Sequence, residues 1–71
     1  MPSFKPKEVV KILKKLGFIE KRQAGSHLIM YSSELNKIIP VPIHPKDLKK
    51  GLLRGIIKQA ESSEKEFLEL K

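Results

Sequence analysis

The sequence predicts an α+β fold, α-β-β-β-α with a three-stranded antiparallel sheet, both long helices on one face of the sheet and a short extra helix at the C-terminus. Two segments, residues 6–16 and 49–60, repeat apolar residues at helical spacing. Between them lie three short segments of β-favouring residues, separated by turn residues. Packing both helical stripes against one face of the sheet is the simplest two-layer arrangement, and we expect residues 1–71 to form a single domain.

The first helix is predicted from Pro6 to Leu16. Proline is favoured in a first helical turn, where its missing N–H has no intrahelical partner, and Gly17 is a typical stop signal. The apolar stripe of this helix consists of Val9, Val10, Ile12, Leu13 and Leu16. Lysines occupy most of the other positions, which predicts one buried face and one cationic face.

Residues 18–23 and 27–32 are predicted as the first two strands, joined by a short turn at Ala24-Gly25. In the second strand, alternation places Leu28 and Met30 on the face that meets the helices. The opposite face carries His27, Ile29 and Tyr31. That face is predicted to stay open to a partner.

A third strand is predicted over residues 38–43, after a polar connection in which Asn36 is the turn residue. Two sets of residues alternate along this strand: Ile39, Val41 and Ile43 against Ile38, Pro40 and Pro42. Prolines at alternate positions remove two backbone donors from the same side. The third strand is therefore predicted to lie at the edge of the sheet.

The second helix is predicted from Lys49 or Lys50 to Ala60, and Ser63 followed by Glu66 matches a capping box that starts a short last helix. The residues predicted to be buried are Leu52, Leu53, Ile56, Ile57 and Ala60 in the second helix, and Phe67, Leu68 and Leu70 in the last one. This order of elements is also that of double-stranded-RNA-binding domains, which recognise RNA by shape and backbone contacts. The fold is therefore predicted to be double-stranded-RNA-binding-domain-like.

Positive charge is concentrated in the body of the chain. Residues 1–60 hold thirteen Lys and Arg against four Asp and Glu (+9), whereas residues 61–71 hold two Lys and four Glu (−2), which gives the net charge of +7. Such a surface favours polyanions, with nucleic acid first among them, although charge alone is also compatible with a merely soluble basic surface.

Several function classes are disfavoured by the composition. The chain has no cysteine, so neither disulfides nor a thiolate metal site are expected. The single acids and the two histidines, seventeen residues apart, do not have metal-ligand spacing, and the glycines do not form a phosphate-binding loop. No apolar run is long enough for a membrane span. We expect a cytoplasmic protein without membrane association, metal or cofactor.

The segment that best fits a catalytic function is Gly25-Ser26-His27, which follows the basic pair Lys21 and Arg22. RNA carries its own nucleophile, the 2′-hydroxyl, so its cleavage requires a base, an acid for the leaving 5′-oxygen and cations near the phosphate. Histidine has an ordinary pKa of about 6.5, which suits proton transfer near neutral pH. A glycine lets the backbone turn with positive φ and lets a phosphate approach.

The spacing alone leaves two interpretations of His27 open. It is either a catalytic base or acid, or a structural or partner-contact residue, as single histidines on strands more often are. His44 closes the third strand or serves as a second acid, and the latter requires that the fold brings it near His27. The lysine-rich face of the first helix either tracks phosphates or is simply solvated.

Four segments of the chain together resemble the HicA (YcfA-like) family, the small mRNA interferase toxins of HicA–HicB toxin–antitoxin pairs. They are residues 16–18, 22–27, 41–45 and 51–60, which read Leu-Gly-Phe, Arg-Gln-Ala-Gly-Ser-His, Val-Pro-Ile-His-Pro and Gly-Leu-Leu-Arg-Gly-Ile-Ile-Lys-Gln-Ala. The resemblance extends over nearly the whole chain. One departure is Glu61, which follows Ala60 at a position where a glycine commonly ends the helix in the family.

The resemblance implies a double-stranded-RNA-binding-domain-like fold and a metal-independent ribonuclease whose catalytic histidine follows Gly-Ser, a role that falls on His27. It also implies a HicB antitoxin that covers the site. The predicted function is an mRNA interferase that arrests translation. In it, Lys21 and Arg22 position the phosphate, Gly25 and Ser26 shape the approach, and the free protein is a monomer.

Two alternatives stay open beside this prediction. One is a non-catalytic RNA-binding module that uses the same basic surface for backbone contacts. The other is a protein whose main activity is to bind a partner protein through the open sheet face or through the edge strand that carries the prolines.

Overall fold

The computed structural model describes residues 2–44 and 46–71. Pro45, the last position of the segment 41–45, lies outside the described residues, as does Met1. The elements in chain order are α1 (Pro6–Lys15), β1 (Ile19–Ala24), β2 (His27–Ser32), β3 (Lys37–Pro42), α2 (Lys50–Gln59) and α3 (Glu64–Leu70). The three strands form an antiparallel sheet in the order β1-β2-β3. The predicted α+β fold class is confirmed, and the architecture is consistent with a double-stranded-RNA-binding-domain-like fold.

Both long helices end in the same backbone arrangement. At the end of α1, Gly17 has φ +98° and the Phe18 N–H donates to the Leu13 carbonyl at 2.9 Å. At the end of α2, Glu61 has φ +55° and the Ser62 N–H donates to the Ile57 carbonyl at 3.0 Å. This is the Schellman arrangement, which satisfies carbonyl groups that the last helical turn leaves without partners.

One hydrophobic core lies between the helices and the inner face of the sheet. Its buried side chains come from every element except β1: Phe4, Val9, Val10, Ile12, Leu13, Phe18, Met30, Ile39, Val41, Leu48, Leu53, Ile56, Ile57, Ala60 and Phe67. Phe67 of α3 meets Phe4 edge to face, with ring centroids 6.2 Å apart. The short last helix therefore closes the core against the segment that precedes α1.

Two residues predicted to be buried are exposed instead, and so is the last apolar residue of the predicted third strand. Leu52 is 42% exposed and Leu68 is 44% exposed, because each lies at the margin of its helical stripe, where the sheet or the neighbouring helix no longer reaches. Ile43 is 39% exposed because β3 ends at Pro42. The alternation continues in the sequence beyond the point where the sheet stops.

The strand boundaries also differ by one residue from the prediction. β1 covers residues 19–24 and β3 covers residues 37–42, and the hairpin turn falls on Gly25-Ser26 rather than on Ala24-Gly25. Phe18 was predicted to open the first strand, but it belongs to the end of α1, where it is buried. β2 covers the predicted residues 27–32.

β3 is an edge strand, as its two prolines predict. Beyond the last strand residue, the Ile43 N–H donates to the carbonyl of Ser26 at 2.6 Å. Because N–H groups alternate along a strand, the odd-numbered positions of β3 donate towards β2, and Pro40 and Pro42 lie where the N–H would point outward. The prolines therefore remove donors from the free edge without weakening the β2–β3 ladder.

None of the helices in residues 2–44 and 46–71 is both long and apolar enough to cross a membrane.

Candidate functional site

The sheet has one face that the helices do not cover. Cross-strand pairing places three rows of residues on it: Ile19, Tyr31 and Ile38; Arg22, Ile29 and Pro40; Ala24, His27 and Pro42. We call this surface the open face. Ile19 is 60% exposed and Ile38 is 51% exposed, which large apolar side chains seldom are when their sheet face is packed.

A β-bulge sets which β1 residues reach the open face. Glu20 pairs with Met30 and Arg22 pairs with Ile29, so Lys21 is an extra residue between two regular pairs. In an unbulged strand, adjacent residues such as Lys21 and Arg22 would point to opposite faces. Because of the bulge, Arg22 shares the open face with His27 and lies one row away.

Lys21 also reaches the open face. Its Nζ lies 5.2 Å from the centroid of the Tyr31 ring, a cation–π distance. The bulge thus brings two cations to the side of the sheet that carries the imidazole. Neither of them is among the residues that form the ion pairs of the described structure, which are Lys14–Glu20, Lys37–Glu61, Arg54–Glu64 and Lys71–Glu8.

The hairpin turn presents His27 at the end of the open face. The turn has two residues, Gly25 with φ +61° and Ser26, and His27 is the first residue of β2. A positive φ at the first turn residue alone is typical of a type II′ turn, where glycine is preferred. A Cβ at Gly25 would meet nothing within 4 Å, so conformation and not space requires glycine here.

The turn is fixed on both sides by hydrogen bonds. The Gln23 side-chain amide donates to the Gly25 carbonyl at 3.2 Å, and the Ser26 carbonyl accepts from the Ile43 N–H. His27 and Ser26 have exposed side chains. The imidazole is therefore free to approach a ligand while the backbone beneath it is held by two neighbouring strands.

Four of the five predicted site residues lie at one corner of the sheet: Arg22 and His27 occupy neighbouring rows of the open face, and Gly25 and Ser26 form the adjoining turn. The Lys21 ammonium shares the open face but lies over Tyr31, two rows from His27. His44 lies at the same end of the sheet, two residues after Pro42, which is the cross-strand partner of His27. Among the described residues there is no group of three or more His, Cys, Asp and Glu side chains that could hold a metal ion.

This corner has the groups that cleavage of a phosphodiester by a neighbouring hydroxyl requires. An exposed imidazole can accept or donate a proton, and cations on the same face can offset charge on the phosphate. The turn leaves room for a bulky anion beside Gly25.

Sequence patterns missed two features of this region. One is the bulge, because the run from Glu20 to Gln23 has no glycine or proline that marks an irregularity. The other is a cleft beside His44, whose lining comes from residues about 37 positions apart in the chain. In the sequence, the residues that mark the cleft are Lys5 and Lys7 on the two sides of Pro6. This pattern does not indicate a cleft, because it is also that of an ordinary helix start.

The fold and this corner define a class of small basic α+β domain with an exposed histidine at a hairpin turn and cations on the same sheet face. A family model described as the HicA toxin of bacterial toxin–antitoxin systems matches residues 6–61, from the first residue of α1 to just beyond α2. The chain belongs to the HicA toxin family. No curated protein sequence matches the chain closely enough to count as a relative.

Membership of this family supports a toxin function and implies an antitoxin as partner. The matched range includes the bulge, the hairpin turn, His27 and His44. It leaves out α3, so the helix that closes the core through Phe67 is an addition to the matched part of the chain.

Proposed function

We propose that this toxin is an mRNA interferase, a metal-independent endoribonuclease in which His27 acts as general acid or base. The observation that carries the proposal is the position of His27 in a chain of the HicA toxin family. The histidine is exposed at a fixed hairpin turn, with Lys21 and Arg22 on the same sheet face. The toxin acts in the cytoplasm, where cleavage of mRNA stops translation.

In the proposed reaction, the imidazole of His27 takes the proton of a ribose 2′-hydroxyl. The 2′-oxygen then attacks the adjacent phosphorus, and the bond from phosphorus to the 5′-oxygen breaks. The products are a 2′,3′-cyclic phosphate and a 5′-hydroxyl, which receives a proton from an acid or from water. Lys21 and Arg22 offset the charge that builds up on the phosphate oxygens, a role that suits the bidentate guanidinium of Arg22.

The test compares wild-type protein with His27→Ala on a long mRNA in the presence of EDTA. We expect the wild type to cleave the RNA, and His27→Ala to be inactive with an unchanged circular dichroism spectrum, since the His27 side chain is exposed. The variant, purified in parallel, also shows the level of contaminating ribonuclease. A wild type that cleaves no faster than the variant would contradict the proposed role of His27.

A second function is compatible with the same surface, namely RNA binding without cleavage. Intact RNA with both proteins, together with a mobility shift by both, would favour this alternative. Salt dependence does not distinguish the two functions, because phosphate contacts weaken with salt in either case. The EDTA assay does.

We also propose that a HicB-like antitoxin neutralises the toxin by covering the open face. The apolar row of Ile19, Tyr31 and Ile38 lies on the same face as His27, so a protein seated there would exclude RNA from the histidine. Exposed apolar patches of this kind are typical of protein interfaces.

We expect Ile38→Asp to weaken antitoxin binding about tenfold or more, because it places a charge in the apolar part of the interface. RNA cleavage by the free variant should persist, since Ile38 is two rows away from His27. Calorimetric titration with a HicB-like antitoxin that binds the wild-type toxin measures the first effect. Wild-type affinity in the variant would place the antitoxin elsewhere.

A further inference from the structure

The cleft beside His44 lies outside the open face, between the start of α1 and the end of β3. Its volume is about 380 Å³, and it is lined by Lys5, Pro6, Lys7, Ile43 and His44. The volume is in the range of small-ligand pockets. Nothing in the site described so far makes use of it.

The lining combines an apolar floor with a cationic rim. Ile43 supplies exposed apolar surface beside the buried Pro6, and most of the lining is apolar, while Lys5, Lys7 and His44 are exposed around it. None of these three takes part in the ion pairs formed among the described residues. Apolar contact beside free cations is the combination that a nucleotide needs, since the base is flat and weakly polar and the phosphate is anionic.

The acids near the cleft are few. The Glu8 carboxylate accepts the Lys5 backbone N–H at 2.8 Å and lies 3.7 Å from the Lys71 ammonium, so it is already engaged. Asp47 is exposed in the segment that leads to α2, where Lys46 and Lys49 flank it. The charge around the cleft is therefore positive. Such a cleft favours a phosphate over a protein segment that makes the same apolar contacts but carries carboxylates.

The cleft lies at the same end of the sheet as the corner that carries His27. Pro42 is the cross-strand partner of His27, and Ile43, the next residue, donates its N–H to Ser26 at 2.6 Å. The residue after that, His44, is part of the cleft wall. An RNA strand that crosses this end of the sheet at the hairpin turn would reach the cleft from His27.

We propose that this cleft binds a nucleotide of the RNA strand next to the scissile bond, and this rests on the RNA substrate of the proposed function. The base lies on Ile43 with the His44 imidazole against it, and the phosphate contacts Lys5 and Lys7. Cleavage is then more efficient on RNA that extends into the cleft, and the base at that position affects the choice of cleavage site.

The first test uses an RNA oligonucleotide with a 2′-deoxy residue at the cleavage site, which cannot be cut, so that binding is measured independently of catalysis. We expect the double variant Lys5→Gln/Lys7→Gln to bind about tenfold more weakly than the wild type. The matched control is Lys58→Gln/Lys65→Gln, which removes the same charge from exposed positions of α2 and α3. A similar loss in both double variants would overturn the proposal, because the effect would then be the net charge alone.

The second test follows the Ile43 methyl and His44 ring signals by NMR during titration with nucleoside 5′-monophosphates. We expect these signals to shift with nucleotides, and to shift much less with inorganic phosphate at the same concentration. Equal shifts with phosphate, or none with either ligand, would overturn binding of a base. A wild type that binds nucleotides here but cleaves no RNA would contradict the proposed function and leave the cleft assignment standing.

Discussion

Glu61 adopts a backbone conformation that usually belongs to glycine. Its φ is +55°, at the same position of the helix end at which Gly17 follows α1 with φ +98°. For residues with a Cβ, the left-handed region costs about 1–2 kcal/mol relative to glycine. The Glu61 carboxylate forms an ion pair with Lys37 at 3.2 Å, which offsets a small part of this conformational cost. The contribution is small because both side chains are 40% or more exposed.

We therefore expect Glu61→Gly to be more stable than Glu61→Ala by about 1 kcal/mol in free energy of unfolding. Both substitutions remove the ion pair, so the difference between them isolates the backbone conformation. Chemical denaturation of the two variants measures it. Equal stability would mean that the helix end relaxes to another conformation when the side chain is shortened.

Single residues show where sequence patterns predict well and where they do not. Met30 and Tyr31 take opposite faces of β2 as alternation requires, and both are held in place by pairing partners in β1 and in β3. Leu52 and Leu68 have the same helical spacing as their buried neighbours but are exposed. Periodicity identifies the side of a helix that faces the core, but the edge of that side depends on how far the opposing layer extends.

At the scale of the element, the bulge in β1 is the feature on which the candidate site depends. The pairs on the two sides of Lys21 use consecutive residues of β2, Met30 and Ile29, so the register shifts by one and the extra residue is accommodated entirely within β1. Such bulges increase the local twist and redirect side chains. Here the result is that two consecutive basic residues contribute to one face.

Deleting Lys21 should leave the fold intact, because Glu20 and Arg22 would then continue a regular ladder with their present partners, Met30 and Ile29. We expect a melting temperature within a few degrees of the wild type. We expect kcat/KM for RNA cleavage to be about tenfold lower for the deletion variant than for Lys21→Ala. Both variants lose the charge, but Lys21→Ala keeps the bulge and the side-chain directions that the bulge sets. Thermal denaturation and cleavage assays on the two variants provide the comparison.

If the deletion and the substitution were equally active, the bulge would act through the charge of Lys21 alone.

Sequence patterns do not predict a bulge of this kind, because a bulge reflects the fit between two strands. The sequence does not predict the cleft for a similar reason. Lys7 and His44 line it together only because the start of α1 packs beside the end of β3. By contrast, local signals were enough to predict the order of elements and the histidine at the turn.

At the scale of the whole molecule, the cavities at the two ends of α1 differ in the charges that line them. The cleft with Lys5 and Lys7 lies at the start of α1, whereas a cavity at its other end includes Glu34, Glu61 and Glu66 in its lining. Cations also lie at that other end, because Lys14 and Lys15 are in the last turn of α1 and Lys37 pairs with Glu61. Of the two cavities, the cleft at the start of α1 is therefore the one that favours a phosphate.

We expect salt to weaken RNA binding without lowering the stability of the fold. With four phosphate contacts to single-stranded RNA, from Lys5, Lys7, Lys21 and Arg22, affinity should fall about fiftyfold between roughly 50 and 200 mM salt. The melting temperature should stay constant or rise, because the four ion pairs are largely exposed and salt screens the repulsion among excess cations. Binding by fluorescence anisotropy and melting by circular dichroism, in the same buffers, measure both. A melting temperature that fell with salt would mean that the exposed ion pairs matter for folding.

The prolines of β3 have a consequence for how this protein behaves when it is concentrated. With Pro40 and Pro42 on its outer side, the sheet can accept a further strand at the β1 edge but not at the β3 edge. Fibril growth requires two open edges on every copy, because each new layer must present a template for the next. A sheet with one open edge can join one other copy edge to edge, and the assembly then stops. Pro40 and Pro42 therefore oppose amyloid-like growth of this small toxin by edge-to-edge addition of sheets.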